Sequence, residues 1–214
     1  MTIRDIVRQR RIKEVLHFTT HLGLAGTLDL GALKARAHLH KEQSLVHILE
    51  LNRSFVQDPE WAGHISLSIT QINEVFFRIA SEKWHRNSSR RWVVLSFHPE
   101  ILEHPGVHFS TTNNIYSMTQ RATGPAGLTA LFAPSIDTLV YKKAYRLQRS
   151  ECRIDALPTC PQAEVLYPDQ ITVDHLQRVY VRDPEHAHDV RALFQVQGHR
   201  QLEVTCAPLA FQAS

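Results

Sequence analysis

The run Trp92-Val93-Val94-Leu95-Ser96-Phe97 constrains the fold more than any other stretch of the chain. It holds one small polar residue among aromatic and aliphatic ones. That composition suits a strand buried deep in a sheet rather than one facing water. Such a strand needs partners on both edges and a layer against each face. The partners are legible nearby. His64-Ile65-Ser66-Leu67-Ser68-Ile69 alternates with period two. Residues 14–19 read as a short strand with polar atoms at its end, and 107–112 are β-rich and run into Asn113 and Asn114. Residues 163–167 form a short strand ended by Pro168, and 176–181 and 202–205 add two more.

Helical spacing appears between these strands. In residues 2–16, Ile3, Ile6, Val7, Ile12 and Val15 are apolar, while Arg4, Arg8, Arg10, Arg11 and Lys13 form a basic face. That face is either a solvated one or a surface for phosphate. Further helices are predicted over 21–31, stopped by Gly31, and over 44–52, 73–84 and 183–195. Residues 146–161 have weak periodicity and read as a long loop, a length uncommon without a function. Strands and helices mix without strict alternation. The expected class is therefore α+β, a single domain over 1–214 with its core at about 14–185.

Composition matters mainly for what it excludes. No apolar run approaches membrane-spanning length, and Met1-Thr2-Ile3-Arg4-Asp5 lacks the apolar core of a signal peptide, so the expected location is cytoplasmic. Cys152, Cys160 and Cys206 have no zinc spacing and read as reduced thiols; no metal is expected. Of 24 basic residues 18 are Arg, whose planar fork grips phosphate and stacks on flat rings. Phosphate loops of the nucleotide-triphosphatase and dinucleotide-fold types are missing, as are zincin and hydrolase signatures. What remains is three polar clusters at the ends of β segments: His17 to Thr20, Ser66 and Ser68 with Asn73, and Gln162-Ala163-Glu164.

His17-Phe18-Thr19, followed by Leu24-Ala25-Gly26-Thr27-Leu28 and by Gly31 and Leu33, resembles the opening of the DarT family of DNA ADP-ribosyltransferases. Cys160-Pro161-Gln162-Ala163-Glu164-Val165-Leu166 resembles that family's Q-A-E segment, in the family's order. The resemblance implies an ADP-ribosyltransferase-like fold with a split, mostly antiparallel central β-sheet flanked by helices. It implies NAD as ADP-ribose donor and a base in single-stranded DNA as acceptor. It also implies a toxin countered by an antitoxin with ADP-ribosylglycohydrolase activity. Where the family carries a second His this chain has Thr20, and where it carries Asn this chain has Gly23. The segment after Ile65 is also more polar, which leaves guanine and thymine both open as acceptors.

The site residues follow from the same resemblance. Loss of nicotinamide makes the ribose cation-like, and a carboxylate near the 2′-hydroxyl stabilises that charge. Glu164 takes this role. His17 and Thr19 would bond the nicotinamide-side ribose and its neighbours, Gly26 would admit the dinucleotide closely, and Ser66, Ser68 and Asn73 would line the nicotinamide wall. Arg53 either clamps the pyrophosphate or shifts the acceptor base to its reactive form, or else caps a helix C-terminus. For single-stranded DNA, basic grooves with aromatic platforms are needed. Trp84, Arg90 and Arg91 combine both, Arg149 and Arg153 lie in the loop before Glu164, and Asn113 and Asn114 either read base edges or form a turn. The rival classes are transfer to RNA or protein, a non-catalytic nucleic-acid-binding module, and a metal nuclease, the last without supporting His/Asp spacing.

Overall fold

The computed structural model describes residues 1–39, 59–84, 90–140, 143–199 and 201–212. The predicted helix over 44–52 and Arg53 lie outside the described residues. In chain order the strands are β1 (Val15–Thr20), β2 (Ala32–Lys34), β3 (His64–Ile69), β4 (Trp92–Phe97), β5 (His108–Ser110), β6 (Arg121–Thr123), β7 (Ser135–Val140), β8 (Lys143–Gln148), β9 (Glu164–Pro168), β10 (Gln170–Thr172), β11 (Leu176–Val181) and β12 (Glu203–Cys206). The helices are α1 (Ile3–Arg10), α2 (His21–Asp29), α3 (Arg36–Leu39), α4 (Glu74–Arg78), α5 (Gly124–Ala130) and α6 (Pro184–Val196).

The apolar run of β4 sits third in an eight-stranded sheet of order β12-β11-β4-β1-β3-β9-β5-β6. Val93, Val94, Leu95 and Phe97 have no exposed surface, which is the covering on both faces that their composition demands. Every pairing in this sheet is antiparallel except β11 with β12. The larger core collects Val93, Leu95, Ile65, Leu67 and Val165 from the strands with Ile6, Leu24, Leu28, Leu128 and Phe194 from α1, α2, α5 and α6. A smaller core joins Leu16 and Val94 to Phe77, next to α4's end, and to Phe211. Mixed elements on both faces of a mostly antiparallel sheet match the expected α+β class.

Caps set the helix limits. Thr2 and Asp5 form a reciprocal capping box at the start of α1. The predicted helix over 2–16 stops early because Arg11 turns left-handed (φ 56°) and Ile12 N–H closes back on Val7. Gly31 ends the α2 region with φ 66°, a conformation that only glycine adopts without strain. Residues 73–84 do not make one α-helix: Asn73 caps α4, and the chain then widens into a π-helix over Ile79–Trp84. The loop expected over 146–161 begins later than predicted, because 143–148 pair as β8 in a hairpin with β7. Most of β8 is exposed, so its sequence carries no buried alternation to read.

Candidate active site at the split of the sheet

The sheet divides between β1 and β3. Only Val15↔Ile69 and Leu16↔Ser68 are registered between them. Beyond those pairs β1 follows β4 as far as Thr20↔Trp92, while β3 follows β9 from Leu67↔Val165 to His64↔Pro168. His17 is the first residue of β1 past the parting. Its Nδ1 lies 3.0 Å from the Ser66 carbonyl, so the ring bridges the split where backbone pairing has ended. A carbonyl oxygen only accepts, so Nδ1 carries the proton. Burial pushes the imidazole below its ordinary value and outweighs the carbonyl's opposite pull. A neutral His17 with Nδ1–H engaged keeps Nε2 as a hydrogen-bond acceptor.

The segment after β1 is packed against it by a glycine. A Cβ placed on Gly23 would lie 2.1 Å from Thr19 Oγ1 and 3.3 Å from Thr19 Cβ. The bare backbone of α2 therefore rests on Thr19. Thr20 caps α2 by accepting from Gly23 N–H at 3.2 Å. Thr20 and Gly23 are two of the positions where the chain departs from the family pattern, and here they do local work together. Gly26 lies one turn further along α2, and its carbonyl accepts the Leu30 N–H that ends the helix.

Across the split, one face of β3, β9, β5 and β6 is polar apart from Leu166. Ser110 stands opposite both Glu164 and Arg121, and the β3–β9 register carries Ser68 to the same row as Glu164. The other face of these strands is apolar, with Leu67, Val165 and Phe109 in the core. Glu164 is only 7% exposed, at the first position of β9. Ser68, Asn73, Ser110, Thr111, Thr112, Asn114 and Thr119 on these strands and the segments after them are also buried. Buried polar groups are costly unless paired. Ser110 Oγ meets Thr119 Oγ1 at 2.8 Å and donates to the Thr112 carbonyl, while Thr112 N–H donates to Thr119. Ser68 Oγ accepts from Asn73 N–H, and Asn73 Oδ1 accepts from Phe76 N–H, which leaves the buried Asn73 Nδ2 without an acceptor among the described residues.

The structure thus brings His17, Thr19, Ser66, Ser68, Asn73 and Glu164 to neighbouring strands β1, β3 and β9 and to the start of α4. Where the sheet is continuous, strands two apart lie about 10 Å from each other. The residues named for DNA contact are distributed differently. Arg91 pairs with Asp189 on α6, and its carbonyl accepts the His21 N–H. Arg90 precedes β4, and of Trp84 only the backbone is described. Asn113 closes a turn onto Ile115 N–H. Asn114 is buried and accepts from Arg121 through both its side chain and its carbonyl, so it holds the loop that leads to β6. Arg149 donates to the Leu157 and Ile154 carbonyls, and Arg153 to the Pro158 carbonyl, which winds the loop before Glu164 around two guanidinium groups. Sequence reading passed over Ser110, Thr119 and Arg121. Their only linear signal is the run of small hydroxyl residues after Phe109.

A family model described as "ssDNA thymidine ADP-ribosyltransferase, DarT" matches residues 16–212. Among solved structures, Thermus sp. 2.9 DarT in complex with carba-NAD+ is 12% identical, with a TM-score of 0.64 over 94% of this chain and 98% of that one. Thermus sp. 2.9 DarT in complex with ADP-ribosylated ssDNA is 14% identical, with a TM-score of 0.63 over 94% of this chain and 97% of that one. Thermosipho africanus DarTG in complex with ADP-ribose is 14% identical, with a TM-score of 0.58 over 93% of this chain. The chain spans about half (51%) of that Thermosipho chain. No curated protein matches the chain. At these identities the structural likeness establishes the fold.

Proposed function

This chain belongs to the DarT family of single-stranded-DNA ADP-ribosyltransferases, and we propose that it transfers ADP-ribose from NAD to a thymine or guanine base of single-stranded DNA. The observation that carries this reading is the placement of Glu164. It is a buried carboxylate, with β3 between its strand and the strand that carries a neutral imidazole at the split. Bound NAD supplies the group transferred: its ribose–nicotinamide bond breaks with the electron pair leaving on nicotinamide, and the attacking base nitrogen gives up a proton as it bonds the sugar carbon.

The residues suit that donor. His17 Nε2 is an acceptor for a ribose hydroxyl. Asn73 Nδ2 is a buried donor that lacks a partner among the described residues, suited to an amide or hydroxyl oxygen of the nicotinamide half. Glu164 presents negative charge where the sugar turns positive, and such stabilisation counts more in a buried site than in water. Binding the charged state better than the ground state is what raises the rate. Thr19 and the closely packed α2 backbone fix the floor beside His17. Arg53 completes the proposed set, clamping the pyrophosphate or turning the acceptor base to its reactive form.

An enzyme that marks DNA bases harms its own host. We therefore read the chain as a toxin of the cytoplasm, countered by an antitoxin with ADP-ribosylglycohydrolase activity. The test is mass spectrometry of oligonucleotides incubated with the protein and NAD. One ADP-ribosyl group gained by single-stranded DNA containing thymine or guanine, and lost with Glu164→Gln, is the expected result. Modification of RNA or protein with DNA left blank overturns the acceptor, and no modification of any of them overturns the activity.

A further inference from the structure

Arg10, Arg149 and Arg153 converge from α1 and from the loop before β9. The guanidinium carbons of Arg10 and Arg149 lie 4.8 Å and 5.7 Å from the centre of the same ring, Phe132. Stacking on one ring holds two like charges close together. The charges sense one another: Arg149 is pushed below its ordinary value first by burial, then by Arg10 and by Arg153, and only Asp155 acts the other way. The cations that do pair with carboxylates lie elsewhere, as in Arg4–Glu103, Arg91–Asp189, Arg146–Asp137 and Arg178–Glu203. Among the described residues no carboxylate bridges to any of the three.

Their donors are unequally used. Arg149 spends both terminal nitrogens on loop carbonyls and on Thr159. It is the hub that shapes the loop. Arg153 commits its Nε to the Pro158 carbonyl at 2.6 Å, which aims the guanidinium and leaves its two terminal nitrogens for other acceptors. Arg10 is half-buried and has no hydrogen bond or ion pair among the described residues. The loop carrying Arg153 ends at Cys160 and Glu164, and Cys160 senses both the cation and the carboxylate. Like charges gathered without counter-ions destabilise a fold unless a ligand supplies the opposite sign. The geometry suits an anion with several oxygens in a row.

We propose that Arg10 and Arg153, set around the loop hub Arg149, form a phosphate station that holds the backbone of the single-stranded DNA acceptor next to Glu164. The proposal rests on the reading of single-stranded DNA as acceptor. It adds α1, through Arg10, to the surface that receives the strand.

The test measures binding without NAD. A fluorescein-labelled single strand of about 16 nucleotides, near the upper site size of such grooves, is titrated with the full chain at several salt concentrations. For single strands, log affinity against log salt falls with a slope of about 0.7 per phosphate contact. Arg10→Ala should weaken binding about tenfold at low salt, as loss of one charge-assisted contact does, and lower the slope by about 0.7. Arg10→Gln keeps the stem over Phe132, so the slope change persists there even if the alanine variant folds poorly. Adding Arg153→Ala should lower the slope by about 0.7 again. Wild-type affinity and slope in a folded Arg10→Gln chain overturn the proposal. The transfer assay is read separately. Transfer by wild type together with an unchanged slope removes the station and keeps the function. A slope change in a chain that transfers nothing removes the function and keeps the station.

Discussion

His17 shows how one residue's environment sets its chemistry. Burial disfavours the imidazolium and the Ser66 carbonyl favours it, and burial wins. In the unfolded chain the ring takes a proton near its ordinary value of 6.5; in the folded chain it resists until lower pH. The unfolded state therefore binds more protons in that interval, so stability rises with pH across it and is lost as pH falls from 6.5 toward the lower folded value. Transfer should follow the folded value: the acid limb of the pH–rate profile should lie below 6.5, because Nε2 stays an acceptor until then. An acid limb at or above 6.5 would mean that a charged His17 is the working form. Glu164→Gln keeps the shape and removes the charge; a loss of about 10²–10³ in kcat is expected, as for removal of one electrostatic stabiliser, with an unchanged melting temperature as the control. Gly23→Ala inserts a Cβ 2.1 Å from Thr19 Oγ1 and should force that side chain to move. Overpacking of this kind costs about 1–3 kcal/mol, read by denaturant unfolding, and KM for NAD should rise with it.

At the scale of elements, the loop between β8 and β9 depends on side chains rather than on backbone ladders. Arg149 donates to the carbonyls of Ile154, Asp155 and Leu157 and to the hydroxyl of Thr159. Arg149→Ala removes these bonds, so the loop should loosen and transfer to DNA should fall. NAD affinity, measured by calorimetry, should stay near wild type because the residues proposed to hold NAD, His17, Thr19 and Asn73, are on other elements. A parallel loss of NAD affinity would show that the loop also shapes the donor pocket. This region explains a limit of sequence reading. The loop was legible from its weak periodicity, but its start was misplaced because β8 is solvent-exposed on most positions. An exposed hairpin strand lacks the buried alternation that marks β3. The early end of α1 was hidden for a related reason: Arg11 adopts a left-handed backbone, which nothing in an arginine announces.

Over the whole molecule, partly buried histidines link distant elements. His21 Nδ1 meets His186 Nε2 at 3.2 Å, tying the first turn of α2 to α6. That contact needs one donor and one acceptor, so it fails once both rings are protonated. Burial is the leading cause that lowers His17, His21, His64, His104 and His186 alike, with the Arg91 charge adding to it at His21 and His186. Each binds its proton more readily when unfolded, so unfolding free energy should fall as pH drops below about 6.5, measured by urea titration over a pH series. Flat stability across that range would show that these rings titrate alike in both states. Sequence alone determined the strands that bury both or alternate faces, the α+β class and the family, because periodicity and short motifs are local properties of a chain. Tertiary structure decided where β1 parts from β3, that Ser110 stands opposite Glu164 and bonds Thr119, and that Arg10 joins Arg149 over Phe132. Those depend on register and on contacts between residues far apart in the chain, which no local pattern encodes.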